Sequence, residues 1–220
     1  MDTNRRLPPE TYTADEIHEL LRACSRRYST GIRNGALIVT LYRSGLRIHE
    51  ALALKPKDVD LDRGTVRVLH GKGDESRTVG LDPEACALLD RWADRRAALG
   101  ASARHVFFCQ ITKGRIGKPL SPSYFRHALP RLAAKAGIEK RVHAHGFRHT
   151  MAAELLREGT ALDAIQAQLG HARPSTTDRY LRKIAPERLV KVMRSRPAWT
   201  ERAEEHVAMI RLGQPARSKA

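Results

Sequence analysis

Four short segments of the chain set polar side chains at spacings that could act on a phosphodiester. In Ser44-Gly45-Leu46-Arg47-Ile48-His49-Glu50, Arg47 and Glu50 are three residues apart, which puts both on one face of a helix. His70-Gly71-Lys72-Gly73-Asp74-Glu75-Ser76-Arg77 reads as a turn with a lysine at its tip. His143-Ala144-His145-Gly146-Phe147-Arg148-His149 repeats the three-residue spacing for His145 and Arg148, and Leu169-Gly170-His171 leads into Ser175-Thr176-Thr177-Asp178-Arg179-Tyr180. A phosphodiester under attack gathers negative charge on its two non-bridging oxygens. Two guanidinium groups, Arg47 and Arg148, would meet that charge with planar forks of donors. The Tyr180 oxygen could serve as nucleophile and conserve the bond energy as a phosphotyrosine. Lys72 could protonate the departing sugar oxygen, and His171 could take the tyrosine proton or bond a non-bridging oxygen.

Each of these residues also has an ordinary reading. Arg47 could be a surface ion-pair partner of Glu50, and Glu50 has an orienting role in either case. Lys72 could be a solvated turn lysine, with Lys55 and Lys57 as nearby alternatives. His171 could cap a helix, and Tyr180 could be a half-buried core tyrosine. His143, His145 and His149 raise the question of a metal. No third ligand follows at a suitable spacing and Arg148 would repel a cation, so neither metal nor cofactor is expected. Gly71-Lys72-Gly73 lacks the rest of a phosphate-binding loop, and no Gly-x-Ser-x-Gly occurs for a serine hydrolase.

The elements that must hold these groups are mostly helices. Thr13-Ala14-Asp15-Glu16 forms a capping box before Ile17, Leu20 and Leu21. A second helix is predicted from about Asn34 to Tyr42, stopping at Ser44-Gly45, and a third over Ile48 to Leu54, before Pro56. Between Val59 and Val79 the period changes to alternation around Val66 and Val68, which predicts a β-hairpin or small sheet with Lys72 at the turn. Asp82 and Pro83 open a helix that runs to Leu99. Val106-Phe107-Phe108 is predicted as a short strand. Helices follow from Ser121-Pro122 to near Gly137, over His145 to Glu158, over Leu162 to Leu169, over Thr176 to Leu181 and over Pro186 to Arg194. The fold class is mainly α with a small antiparallel β-sheet.

Forty Lys and Arg against 24 Asp and Glu leave a net charge of +16, a field that draws polyanions, DNA foremost. Three dispersed cysteines without a CxxC pair give no disulfide framework and no zinc ribbon. The start, MDTNRRLPPE, lacks the apolar stretch of a secretory signal, and no run is long enough for a membrane span; a cytoplasmic, nucleoid-associated protein is expected. Residues 1–9 read as an extension, 10–195 as one domain, and 196–220 as a basic tail, disordered or partner-docking.

On GLRIHEALAL, GKGDESR, HGFRHT and LGHARPSTTDRYLR, the chain resembles the tyrosine recombinases of the phage integrase family over nearly all of residues 10–195. The resemblance implies the DNA breaking–rejoining fold of the family's catalytic domain. It also implies a catalytic set of Arg47, Lys72, His145, Arg148, His171 and Tyr180, with Glu50 in support. The implied reaction is site-specific cleavage and rejoining of double-stranded DNA through a 3′-phosphotyrosine, for integration, excision or inversion, by a homotetramer assembled on DNA. A monomer or weak oligomer is expected when free, and accessory DNA-bending proteins are potential partners. Pro186-Glu187-Arg188-Leu189-Val190-Lys191-Val192-Met193 offers an apolar edge for a neighbouring subunit or for its own domain. The family's helical core-binding domain is not expected within this sequence, which then reads either as a catalytic-domain fragment or as a short member similar to the fimbrial-inversion recombinases. Two other functions share parts of the pattern: a type IB topoisomerase-like enzyme that relaxes supercoils, and a non-catalytic DNA-binding regulator.

Overall fold

The computed structural model describes residues 11–69 and 76–170. In chain order these form α1 (Ala14–Ala23), α2 (Ser29–Ser44), α3 (Ile48–Ala53), a 3₁₀ turn (Pro56–Asp58), β1 (Val59–Asp60), β2 (Thr65–Val68), β3 (Arg77–Gly80), α4 (Pro83–Ala98), α5 (Pro122–Lys135), α6 (Ala144–Glu158) and α7 (Leu162–Leu169). The mainly α architecture with one small sheet agrees with the sequence pattern. The helices predicted over 176–181 and 186–194, the docking segment 186–193 and the tail lie outside the described residues.

Helix starts follow the capping chemistry. The Thr13 hydroxyl accepts the Glu16 N–H at 3.1 Å while the Glu16 carboxylate accepts the Thr13 N–H at 2.7 Å, the reciprocal pair of a capping box. Asp82 accepts the Ala85 N–H at 3.1 Å ahead of Pro83, whose missing N–H costs nothing in the first turn.

Helix α2 is the axis of the domain, packed against both α4 and α6. It starts at Ser29, earlier than its apolar run suggests, because Arg33 and Asn34 are buried polar residues of the helix itself. A helix covered on several sides carries no clean apolar stripe, so its periodicity underreports its length. It ends at Gly45, where φ is +66° and a Cβ would press on the Met151 and Leu169 side chains. Only glycine meets both demands.

The sheet is antiparallel in the order β1-β2-β3, with Val66 opposite Val79 and Val68 opposite Arg77. Val66, Val68 and Val79 turn inward and their neighbours outward, the period-two pattern of a half-buried sheet.

The strand predicted at Val106-Phe107-Phe108 does not form. Phe107 and Phe108 are buried, but their segment is an irregular loop. Its main-chain groups go to side chains and to another loop rather than to a ladder. The Phe107 N–H donates to the Leu54 carbonyl at 2.6 Å, and the Phe107 carbonyl accepts from the Trp92 indole at 2.9 Å and the Arg96 Nε at 3.2 Å. Among the described residues no helix is long and apolar enough to cross a membrane.

Candidate active site

The sequence places Arg47 after a glycine-ended helix and before a short one, and the structure makes it the N-cap of α3, with extended backbone rather than on the helix face. Glu50 sits at the third helical position and reaches back. One carboxylate oxygen accepts the Arg47 N–H at 2.8 Å, and the other accepts Arg47 Nη1 at 3.0 Å. The Glu50 side chain is only 1% exposed and that of Arg47 is 25% exposed, so the arginine leads from a buried anchor to the surface.

A third group closes on the same carboxylate. Arg77, at the start of β3, donates Nη1 and Nη2 to the two Glu50 oxygens at 3.1 and 2.9 Å. Burial alone would raise the Glu50 pKa. The bonds from Arg77, the Arg47 N–H and the Arg47 guanidinium outweigh it and hold the pKa at about 2. Arg77 was not singled out by sequence spacing, because its partner is 27 residues away in the chain. The available signal was its place at the end of GKGDESR, directly after the predicted turn.

Arg148 and His145 come from the first turns of α6, whose N-cap is His143, with its Nδ1 accepting the Gly146 N–H at 3.1 Å. Arg148 is buried, and two of the five N–H donors of its guanidinium go to the main-chain ends of two other helices. Nη1 bonds the Gly45 carbonyl closing α2, and Nη2 bonds the Leu169 carbonyl closing α7 at 2.6 Å. Burial, and then the charge of Arg47, with a further contribution from Arg77, push its pKa down to about 9 against the pull of Glu50. His145 keeps part of its ring exposed and meets the His149 ring edge-on at 4.4 Å. The protein packed around it, and then Arg148, His143 and Arg47, press its pKa below the ordinary histidine value, so the neutral imidazole is favoured.

Helix α7 ends at Gly170 with φ +61°, and a Cβ there would fall on Nε, Cδ and Cζ of Arg77. Arg148 and Arg77 therefore grip the chain immediately before His171. Lys72, His171 and Tyr180 themselves lie outside the described residues. Arg47, Glu50, His145 and Arg148 are brought into one electrostatic neighbourhood, and Arg77 joins them.

Among the described residues the arrangement is unbalanced: three guanidinium groups share one neighbourhood with the Glu50 carboxylate, an excess of two positive charges. Such a site favours an incoming dianion or a phosphodiester whose charge grows during attack. Beside it a cleft of about 540 Å³ runs past Ile48, Phe125, Arg126, Arg141, His143 and His145, with the exposed Arg126 and Arg141 on its walls.

Comparison with known proteins gives the same picture. Residues 10–186 match the model of the phage integrase family. Tyrosine recombinase XerC of Xanthomonas campestris pv. campestris is 36% identical over 172 residues, covering 78% of this chain and 51% of that protein. Tyrosine recombinase XerD of Ralstonia nicotianae is 35% identical over 183 residues, covering 82% and 58%. The chain thus spans about half the length of the curated relatives it matches. The crystal structure of XerA recombinase superimposes with a TM-score of 0.69 at 30% identity, covering 88% of this chain and 68% of that one. XerH site-specific recombinase, bound to palindromic difH substrate in a post-cleavage complex, gives 0.69 at 27% identity over 88% and 55%. On the match over most of its length, the chain belongs to the phage integrase family.

Proposed function

We propose that the chain is a site-specific DNA recombinase, cutting and rejoining double-stranded DNA through a 3′-phosphotyrosine at Tyr180. The observation that carries this reading is the gathering of Arg47, Arg77 and Arg148 in the neighbourhood of the Glu50 carboxylate. The post-cleavage complex of XerH with its substrate supports the same reaction class for this fold.

In the proposed reaction Tyr180 Oη attacks the scissile phosphorus and the bond from phosphorus to the 5′ oxygen breaks. The departing oxygen takes a proton from Lys72 and leaves as a 5′-hydroxyl. His171 accepts the tyrosine proton or bonds a non-bridging oxygen. Arg47 and Arg148 hold the two non-bridging oxygens, and a neutral His145 adds a hydrogen bond without adding charge. Attack by a 5′-hydroxyl from another duplex reverses the steps and joins new partners. Exchange between two duplexes needs four such sites, hence four copies on DNA, with accessory DNA-bending proteins where the site requires them.

The test uses a nicked suicide duplex carrying a candidate recombination site from the flanking genome. The wild-type protein should become covalently attached to labelled DNA in denaturing electrophoresis. Tyr180→Phe should give no adduct while retaining duplex binding; an adduct persisting in that variant would sink the assignment.

A further inference from the structure

We infer that Arg77 is a positioning residue for the Arg47 guanidinium, acting through the plane of the Glu50 carboxylate. The inference rests on the reading of Arg47 as a phosphate-holding group.

The geometry is a closed set of four bonds on two oxygens. Glu50 Oε1 accepts Arg47 Nη1 at 3.0 Å and Arg77 Nη1 at 3.1 Å. Glu50 Oε2 accepts the Arg47 N–H at 2.8 Å and Arg77 Nη2 at 2.9 Å. Each oxygen is thus shared between the two arginines. A carboxylate held only by Arg47 could still turn about its last side-chain bond, since that torsion is soft. The paired donors of Arg77 approach as a planar fork, which fixes the carboxylate plane, and the fixed plane fixes where Arg47 Nη1 must lie.

Arg77 is itself braced on two sides. Its backbone is held in β3 opposite Val68, and its Nε, Cδ and Cζ lie against Gly170, where a Cβ would come within 2.5–2.7 Å. The side chain is only 13% exposed, and both terminal nitrogens are spent on Glu50. Its buried Nε has no acceptor among the described residues. With its Nη1–Nη2 pair turned to Glu50 and its Nε edge packed against Gly170, Arg77 offers less of itself to a ligand than Arg47, whose side chain is 25% exposed and has one side-chain partner, Glu50, among the described residues. One arginine is the brace and the other is the hand.

A lysine at position 77 would keep the charge and lose the fork, so charge and plane can be separated. In Arg77→Lys and Arg77→Gln, single-turnover cleavage of an ordinary nicked duplex should fall ~10–10²-fold, the scale of a small misplacement of a reacting or stabilising group. On the same duplex with a neutral methylphosphonate at the scissile position the two variants should come within about threefold of wild type, because an arginine clamp on a charged oxygen is no longer in demand. Equal losses on both substrates would mean a general structural role and would overturn the inference. The second arm needs no activity. The ¹⁵N signal of Arg47 Nε–H, assigned by its disappearance in Arg47→Lys, should be ordered in the free wild-type protein and mobile in both Arg77 variants. An Arg47 signal that stays ordered in Arg77→Lys would also overturn the inference. Should the wild type form no adduct at all, the recombinase reading fails, and the Arg47 signal still decides the positioning role.

Discussion

The domain buries arginines in two places, and the two places handle them differently. Away from the site, Arg96 of α4 is surrounded by main-chain oxygens. Its Nε donates to Phe107, and its Nη2 reaches the Ser102 and Val106 carbonyls at 3.0 and 3.1 Å, so a single cation ties together the loop that follows its own helix. Arg33 of α2 likewise joins the Cys109 carbonyl, the Asn34 amide oxygen and the Tyr124 hydroxyl, with its guanidinium 4.8 Å from the Tyr124 ring centre. Burial lowers the Arg33 pKa, and Tyr124 and Cys109 offset only part of that. At the site, Arg148 also bonds two carbonyls, yet its charged neighbours Arg47 and Arg77 repel it. Burial of an arginine by itself marks a strut. Burial beside like charge, which Glu50 offsets only in part, sets Arg148 apart from the struts.

This contrast can be broken most easily at Arg148. Arg148→Lys should lower single-turnover cleavage ~10²–10³-fold, the usual cost of losing one oxyanion donor, while duplex affinity stays nearly unchanged. A variant that cleaves normally would put Arg148 with the struts. The next effect is set by Glu50, whose pKa of about 2 lies below the ordinary 4.5. A depressed carboxylate stabilises the fold fully above its unfolded pKa and loses that contribution as pH falls through the folded value. Wild-type stability measured by urea unfolding should therefore drop by roughly 3 kcal/mol between pH 4.5 and 2 on account of this group. Glu50→Gln should show a correspondingly flatter acid limb. The smallest effect belongs to Arg96. Arg96→Met should cost about 2 kcal/mol of stability by stranding loop carbonyls, and the cleavage rate of the folded protein should not change. A slowed cleavage step there would mean that the distinction between strut and site is too sharp.

Much of this was legible from residue types. Thr13 with Glu16, Asp82 with Pro83, and the glycine at 45 announce helix ends through chemistry that acts within a few residues. The change to alternation at Val66 and Val68 likewise announces the sheet. Two kinds of feature were not legible. The Val106-Phe107-Phe108 run has the composition of a strand, but its hydrogen bonds are taken by Trp92 and Arg96, side chains whose arrival only the tertiary fold decides. Arg77 meets Glu50 across the gap between helix α3 and strand β3, and no periodicity connects those positions. The segments that carry Arg47, Glu50, His145 and Arg148 stood out in the sequence, and the structure brings those four residues into one neighbourhood. The salt-bridged frame that orients them did not stand out, because it is a property of distance in space.

The close quarters around Gly45 and Gly170 have a genetic consequence. Every single-base change that turns a glycine codon into that of another amino acid introduces a side chain with a Cβ. At position 45 that carbon would meet Met151 and Leu169, and at position 170 it would meet Arg77, both times on a backbone already turned to positive φ. A gene encoding this domain can therefore drift silently at those two codons, but each step away from glycine strikes the frame that carries the arginines.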